Sequence, residues 1–108
     1  MLDLDKYINN SIKIKMNGEV YDILEPTIAM NMEINRIEED LTIENLHEKR
    51  IETAKVLMSN NRQGKEFTKE ELKKIPFEAL SAAITEIALI RLKADEDPNS
   101  KSQSQMER

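Results

Sequence analysis

A chain of 108 residues without cysteine excludes disulfides, thiolate nucleophiles and zinc–thiolate clusters, so packing alone must hold it together. One domain fits this length, with a core so modest relative to its surface that burial against a partner or a second copy would add stability. A net charge of -5 disfavours nucleic acid, which needs a concentrated basic surface, and an aromatic content of 4% leaves Ile, Leu, Met and Ala to build a mainly helical core.

The N-terminal Met1-Leu2-Asp3-Leu4-Asp5 has neither the basic region nor the apolar run of a signal peptide. No segment approaches the roughly 20 apolar residues that span a bilayer. A soluble protein of a reducing cytoplasm is expected, with no membrane partner.

The first clear element is a β-hairpin over 11–24. Ser11 to Met16 and Glu19 to Leu24 alternate in polarity around Asn17-Gly18, a pair suited to a two-residue turn with positive φ at both positions. That turn sets Met16 opposite Glu19, Ile14 opposite Tyr21 and Ile12 opposite Ile23 on one face. Lys15 then faces Val20 and Lys13 faces Asp22 on the other. A lone hairpin is marginal in water, so its apolar face must lie on helices or on another chain, and both of its edges are expected to be open.

Pro26 ends the second strand and Thr27 can cap a helix. Met30, Ile34, Ile37 and Leu41 recur at spacings of four, three and four, one stripe of a helix from which Met32 is out of phase. Ile43, Leu46, Ile51, Ala54, Leu57 and Met58 begin a second phase. Either one helix runs from 27 to about 59 or it breaks near Asp40-Leu41-Thr42, where Asp and Thr are better caps than interior residues, and the break is favoured. Asn60 to Gly64 reads as a loop. Thr68-Lys69-Glu70-Glu71 is a capping box opening a short helix over 68–75, and Pro76 suits the first position of a last helix over 76–93. The polar stretch from Ala94 to Arg108 lacks apolar anchors and is expected to be a disordered tail. The fold expected is mainly α with a small N-terminal β-hairpin, an α+β single domain over 1–93 whose helices form a compact bundle of three to four.

Nothing in the sequence assembles a reaction. His47 is the lone histidine and has no nucleophile patterned beside it, Glu38-Glu39-Asp40 lacks the glycine-hinged spacing of a calcium loop, and the two glycines, Gly18 and Gly64, are isolated. No catalytic residue, cofactor or metal is expected. The six methionines are adaptable contact residues, and Met32, off the helix stripe, is the one best placed for an outside contact.

The order of parts over 11–93 resembles the tail assembly chaperones of long-tailed bacteriophages: a hairpin around Asn17-Gly18-Glu19, a Pro26-Thr27 helix entry, a loop, Phe67-Thr68-Lys69-Glu70-Glu71-Leu72, then Ile75-Pro76-Phe77 and an apolar helix. The Ile-, Lys- and Asn-rich vocabulary suits a phage or prophage of a low-GC Gram-positive host. The resemblance implies a homo-oligomeric protein of the host bacterial cytoplasm, absent from the mature virion, that binds the tape measure protein and helps recruit tail tube subunits. In that family a longer frameshifted form often begins near such a polar tail. Ile12, Ile14, Tyr21, Ile23 and Met32 are the candidate protein-binding residues, with Glu19, Glu33 and Glu38 as an acidic rim favouring a basic partner. A structural tail-completion or head–tail connector protein, or a small regulatory protein-binding module, is the alternative.

Overall fold

The Asn17-Gly18 turn takes positive φ at both residues, 53° and 83°, and so joins strands β1 (Ser11–Met16) and β2 (Glu19–Leu24) antiparallel. The computed structural model describes residues 1–90. Pairing runs from Met16 opposite Glu19 to Ser11 opposite Leu24, the register that the turn chemistry dictates. On the outer face the Lys13 ammonium meets the Asp22 carboxylate at 2.6 Å and holds that carboxyl below its ordinary range, with Gln63 adding to the effect.

Ahead of the hairpin stands a single helical turn, α1 (Asp5–Ile8), which the sequence reading did not anticipate. Asp3 starts it by accepting the Asp5 N–H through its side chain at 3.1 Å. After β2, the Thr27 hydroxyl accepts the Met30 N–H at 3.1 Å and caps α2 (Ile28–Ile37). The helix break is present: α3 (Leu46–Met58) starts afresh after a turn closed by Asn45. There the Asn45 amide accepts the Thr42 N–H at 2.7 Å and donates to the Asp40 carbonyl at 2.9 Å, while the Thr42 hydroxyl accepts the Asn45 N–H at 3.2 Å. Thr42 therefore caps this turn and not the helix, which begins later than the apolar phase from Ile43 suggests.

The Thr68–Glu71 capping box forms in both directions and opens α4 (Lys69–Lys73). Pro76 is the cap of α5 (Phe77–Ala88), one position before the helix itself. The expected end of this helix at Lys93 and the expected tail from Ala94 to Arg108 lie outside the described residues. Among the described residues the chain is thus an α+β domain with one two-stranded hairpin and five helices, about half helical.

The core gathers Ile23 from β2, Ala54, Leu57 and Met58 from α3, Phe67, Leu72 from α4, and Leu80, Ile87 and Ile90 from the last helical segment. α3 packs against α2, α4 and α5. Each large aliphatic side chain so buried stabilises the fold by about 1.5–3 kcal/mol.

One expectation is corrected at the hairpin, whose two edges are not both open. The stretch 60–63 lies along β2: the Leu24 N–H donates to the Asn60 carbonyl at 2.9 Å and the Arg62 N–H to the Asp22 carbonyl at 3.0 Å. Ile23 and Asn61 form an antiparallel bridge. The Gln63 amide grips Asp22 twice, accepting its N–H at 2.8 Å and donating to its carboxylate at 3.0 Å. Sequence reading took this stretch for a plain loop because backbone pairing over such a separation leaves no local pattern.

Asn61 holds that loop in shape. Its buried amide donates to the Met58 and Lys65 carbonyls at 2.7 and 2.9 Å and accepts the Lys65 N–H at 2.9 Å. Replacing Asn61 with Ala leaves three backbone groups without this partner and is expected to lower unfolding stability by roughly 2–3 kcal/mol. A urea melt with a lower midpoint and an unchanged slope is the expected reading.

Beyond Asn61, Glu71 ties loop to helix. One of its oxygens accepts the Thr68 N–H at 2.9 Å and the other takes the Lys65 ammonium at 2.7 Å. The Lys65 contact, followed by the Thr68 N–H, lowers the Glu71 pKa from 4.5, and the same contact raises that of Lys65 from 10.5. A depressed carboxyl contributes stability that is fully present above its unfolded value and is lost as pH falls through the lower folded value. The Lys65 contribution runs the other way and fades as pH rises above 10.5. Urea midpoints measured across the acid range should therefore fall below about pH 4.5, and Glu71→Gln should flatten that fall.

Candidate protein-binding site

The hairpin's alternation sends Ile12, Ile14, Tyr21 and Ile23 to one face, and the helices cover it. Ile23 is 0% exposed, a core residue of this chain that offers no surface to another. Ile12, Ile14 and Tyr21 are half-buried against the same core. The Tyr21 ring stands edge-on to Phe67, with centroids 5.1 Å apart and planes at 74°. Phe67 is fixed from its other side, its N–H donating to the Ser59 hydroxyl at 3.0 Å and the Lys65 ammonium lying 5.3 Å from its ring centre.

Met32 is placed differently. At about 100° per residue it lies roughly half a turn around α2 from the inward Met30/Ile34/Ile37 stripe, and it is 55% exposed. Ile28, one turn earlier on the same outer side, is 79% exposed. The sequence reading did not single out Ile28, although its i, i+4 spacing from Met32 is the signal that finds it. Leu41 and Ile43 are also exposed, in the turn that leaves α2. Ile43 therefore leaves the apolar set assigned from its spacing to the second helix.

The acidic rim needs one revision. Glu19 and Glu33 are exposed, but Glu38 faces inward at the C-terminal end of α2. One of its carboxylate oxygens accepts from the Arg50 guanidinium at 2.9 Å and from the Thr53 hydroxyl at 3.0 Å. Thr53 is almost wholly buried, so this carboxylate satisfies a hydroxyl that water cannot reach, and it fastens α2 to α3.

His47 stands at the surface near the start of α3, its ring edge-on to Phe77 with centroids 4.8 Å apart. Among the described residues, no group of three or more His, Asp and Glu side chains is arranged to hold a metal ion. Among the same residues no helix is long and apolar enough to cross a membrane. What the structure offers is a set of exposed apolar side chains on α2 and the turn after it, beside carboxylates.

Comparison with protein-family models, with curated proteins and with solved structures gave no match to this chain.

The two halves of the sequence-derived residue set should therefore respond differently to substitution. Ile23→Ala should cost about 2–5 kcal/mol as a cavity in the core, while Met32→Glu should shift stability by no more than about 0.5 kcal/mol. Thermal melts of the two variants beside the parent chain measure both.

Proposed function

We propose that this chain is a tail assembly chaperone of a long-tailed bacteriophage or prophage. It acts by binding and not by catalysis, holding the tape measure protein soluble in the host cytoplasm while tail tube subunits are recruited, and it does not remain in the finished virion. The observation behind this reading is the order of parts: a hairpin at Asn17-Gly18, a Thr27-capped helix, a loop, a Thr68–Glu71 capping box and a Pro76-led apolar helix. That is the order on which the family resemblance rests.

Supporting it is the chemistry of the surface. Exposed Ile28, Met32, Leu41 and Ile43 give apolar side chains for another chain to cover, and the net charge of -5 keeps an incompletely buried complex soluble. In this reading α2, α3, α4 and α5 work as a compact bundle, and α3 is the scaffold on which the others are mounted. Self-association adds to the surface available to a long partner.

Co-expression of the chain with fragments of the tape measure protein from the same phage tests the reading. At least one fragment should become soluble and be retained with the chain through purification, and the chain should be absent from purified virions. Retention of no fragment across the whole tape measure protein overturns the chaperone role. Stable presence in virions points instead to a structural tail protein.

A further inference from the structure

From the outer side of α2 and the turn that follows it, we infer a docking surface for a cationic amphipathic helix. This rests on the binding role proposed above and assigns it a location and a partner chemistry.

The first observation is where the charge sits. Residues 25–45, from the end of β2 to the start of α3, contain six carboxylates and one cation, Arg36, a net charge of -5. The whole chain also sums to -5, so the rest of the molecule is balanced and its negative field originates in this segment. Two of the six carboxylates face protein groups: Glu38 is held by Arg50 and Thr53, and Glu25 accepts from the Asn10 amide at 3.1 Å. Glu33, Glu39, Asp40 and Glu44 are exposed.

Exposed apolar side chains occupy the same stretch. Ile28 and Met32 make a two-residue ridge on the side of α2 turned away from the core, and Leu41 and Ile43 project from the turn. None of the ten residues of α2 is fully buried, so the helix presents nearly as much to the outside as it gives to α3. An apolar ridge flanked by carboxylates is complementary to a helix with leucine-like residues at i, i+3, i+4 and i+7 between lysines or arginines.

Charge decides among the possible occupants. A second copy would bring two segments of net charge -5 together across a symmetric contact, a repulsive arrangement. The chain's own residues 91–108 hold four cations and four anions and so have no net charge to contribute. Phosphate surfaces, whether nucleic acid or anionic lipid, are repelled. A cationic helix from another protein is the occupant that both the ridge and the field favour.

Three synthetic peptides test the assignment against the full-length chain: a lysine/leucine amphipathic helix, an isomer of the same composition with the apolar phase scrambled, and the glutamate/leucine analogue. Amide chemical-shift mapping and fluorescence anisotropy are the readouts. The first peptide should bind, perturb residues 28–43 above all others, and weaken as salt is raised. Ile28→Glu with Met32→Glu should cut its affinity by about tenfold or more. The triple change Glu33→Gln, Glu39→Gln and Asp40→Asn should remove the preference over the glutamate analogue. Circular dichroism should show both variants folded, and the second leaves the apolar ridge untouched should the first disturb α2.

Equal binding of the scrambled or glutamate peptide overturns the proposal, as does a perturbation centred on the hairpin. So does a dimer in sedimentation that the Ile28/Met32 variant abolishes. Tape measure fragments keep the two readings separable: retention by the parent and equally by the Ile28/Met32 variant removes this surface and leaves the chaperone role standing. Peptide binding at α2 with no fragment retained does the reverse.

Discussion

The pairing of 60–63 with β2 is the contact on which the other packing depends, because a two-stranded ribbon cannot fix itself in water. Ile23 contributes a side chain to the core and a backbone bridge to Asn61, so one residue joins the hairpin to the helices in two ways. Asn61 in turn receives its shape from the end of α3 and from Lys65. If the loop takes another shape, β2 loses its outer hydrogen bonds and Phe67, six residues further on, loses its placement against Tyr21. The buried amide is worth more than its own hydrogen bonds for that reason: it sets the geometry through which sheet and helices share one core.

Around this junction the helices differ in how firmly they are held. α3 supplies Thr53, Ala54, Leu57 and Met58 to the interior, and α5 supplies Leu80 and Ile87. α4 is short but is secured by the capping box and by the Lys65–Glu71 pair. α2 has no fully buried residue and depends on partly buried Met30 and Ile34 and on the Glu38 link to Arg50 and Thr53. Stability is therefore graded from the α3–α5 pair outward, and the element proposed to meet a partner is the one least committed to the interior. Binding surfaces are often drawn from such regions, where ordering or shifting an element disturbs little else.

Much of the fold was legible because its signals are local. Asn17-Gly18 specifies a turn and hence a register, Thr27 and Thr68 are side chains that complete backbone hydrogen bonds within one helical turn, and Pro76 can lead a helix but not sit inside one. The misses have the opposite character. The pairing of 60–63 with β2 depends on residues about forty positions apart, and the inward turn of Glu38 depends on Arg50 and Thr53 in another helix. The candidate surface divided in the same way. Alternation correctly put Ile12, Ile14, Tyr21 and Ile23 on one face, but what covers a face is a tertiary matter, and here it is the chain's own core. Helical phase did mark Met32 as outward, and the same arithmetic applied to Ile28 would have completed the ridge.

The pairing of 60–63 with β2 also has a kinetic side. Hairpin closure and the helices involve near neighbours in sequence, whereas joining β2 to Asn60 and Arg62 closes a long excursion of the chain that contains α2, its following turn and α3. That closure is the step with the largest entropic barrier, and it comes after the local elements have begun to form. Because the entropy of closing a flexible loop grows only with the logarithm of its length, about 0.6 kcal/mol for each doubling, a few residues gained or lost between α2 and α3 barely change that barrier. The stretch from Glu38 to Asn45 is thus free to vary over generations in length and composition, while Asn61 and Ile23 are not.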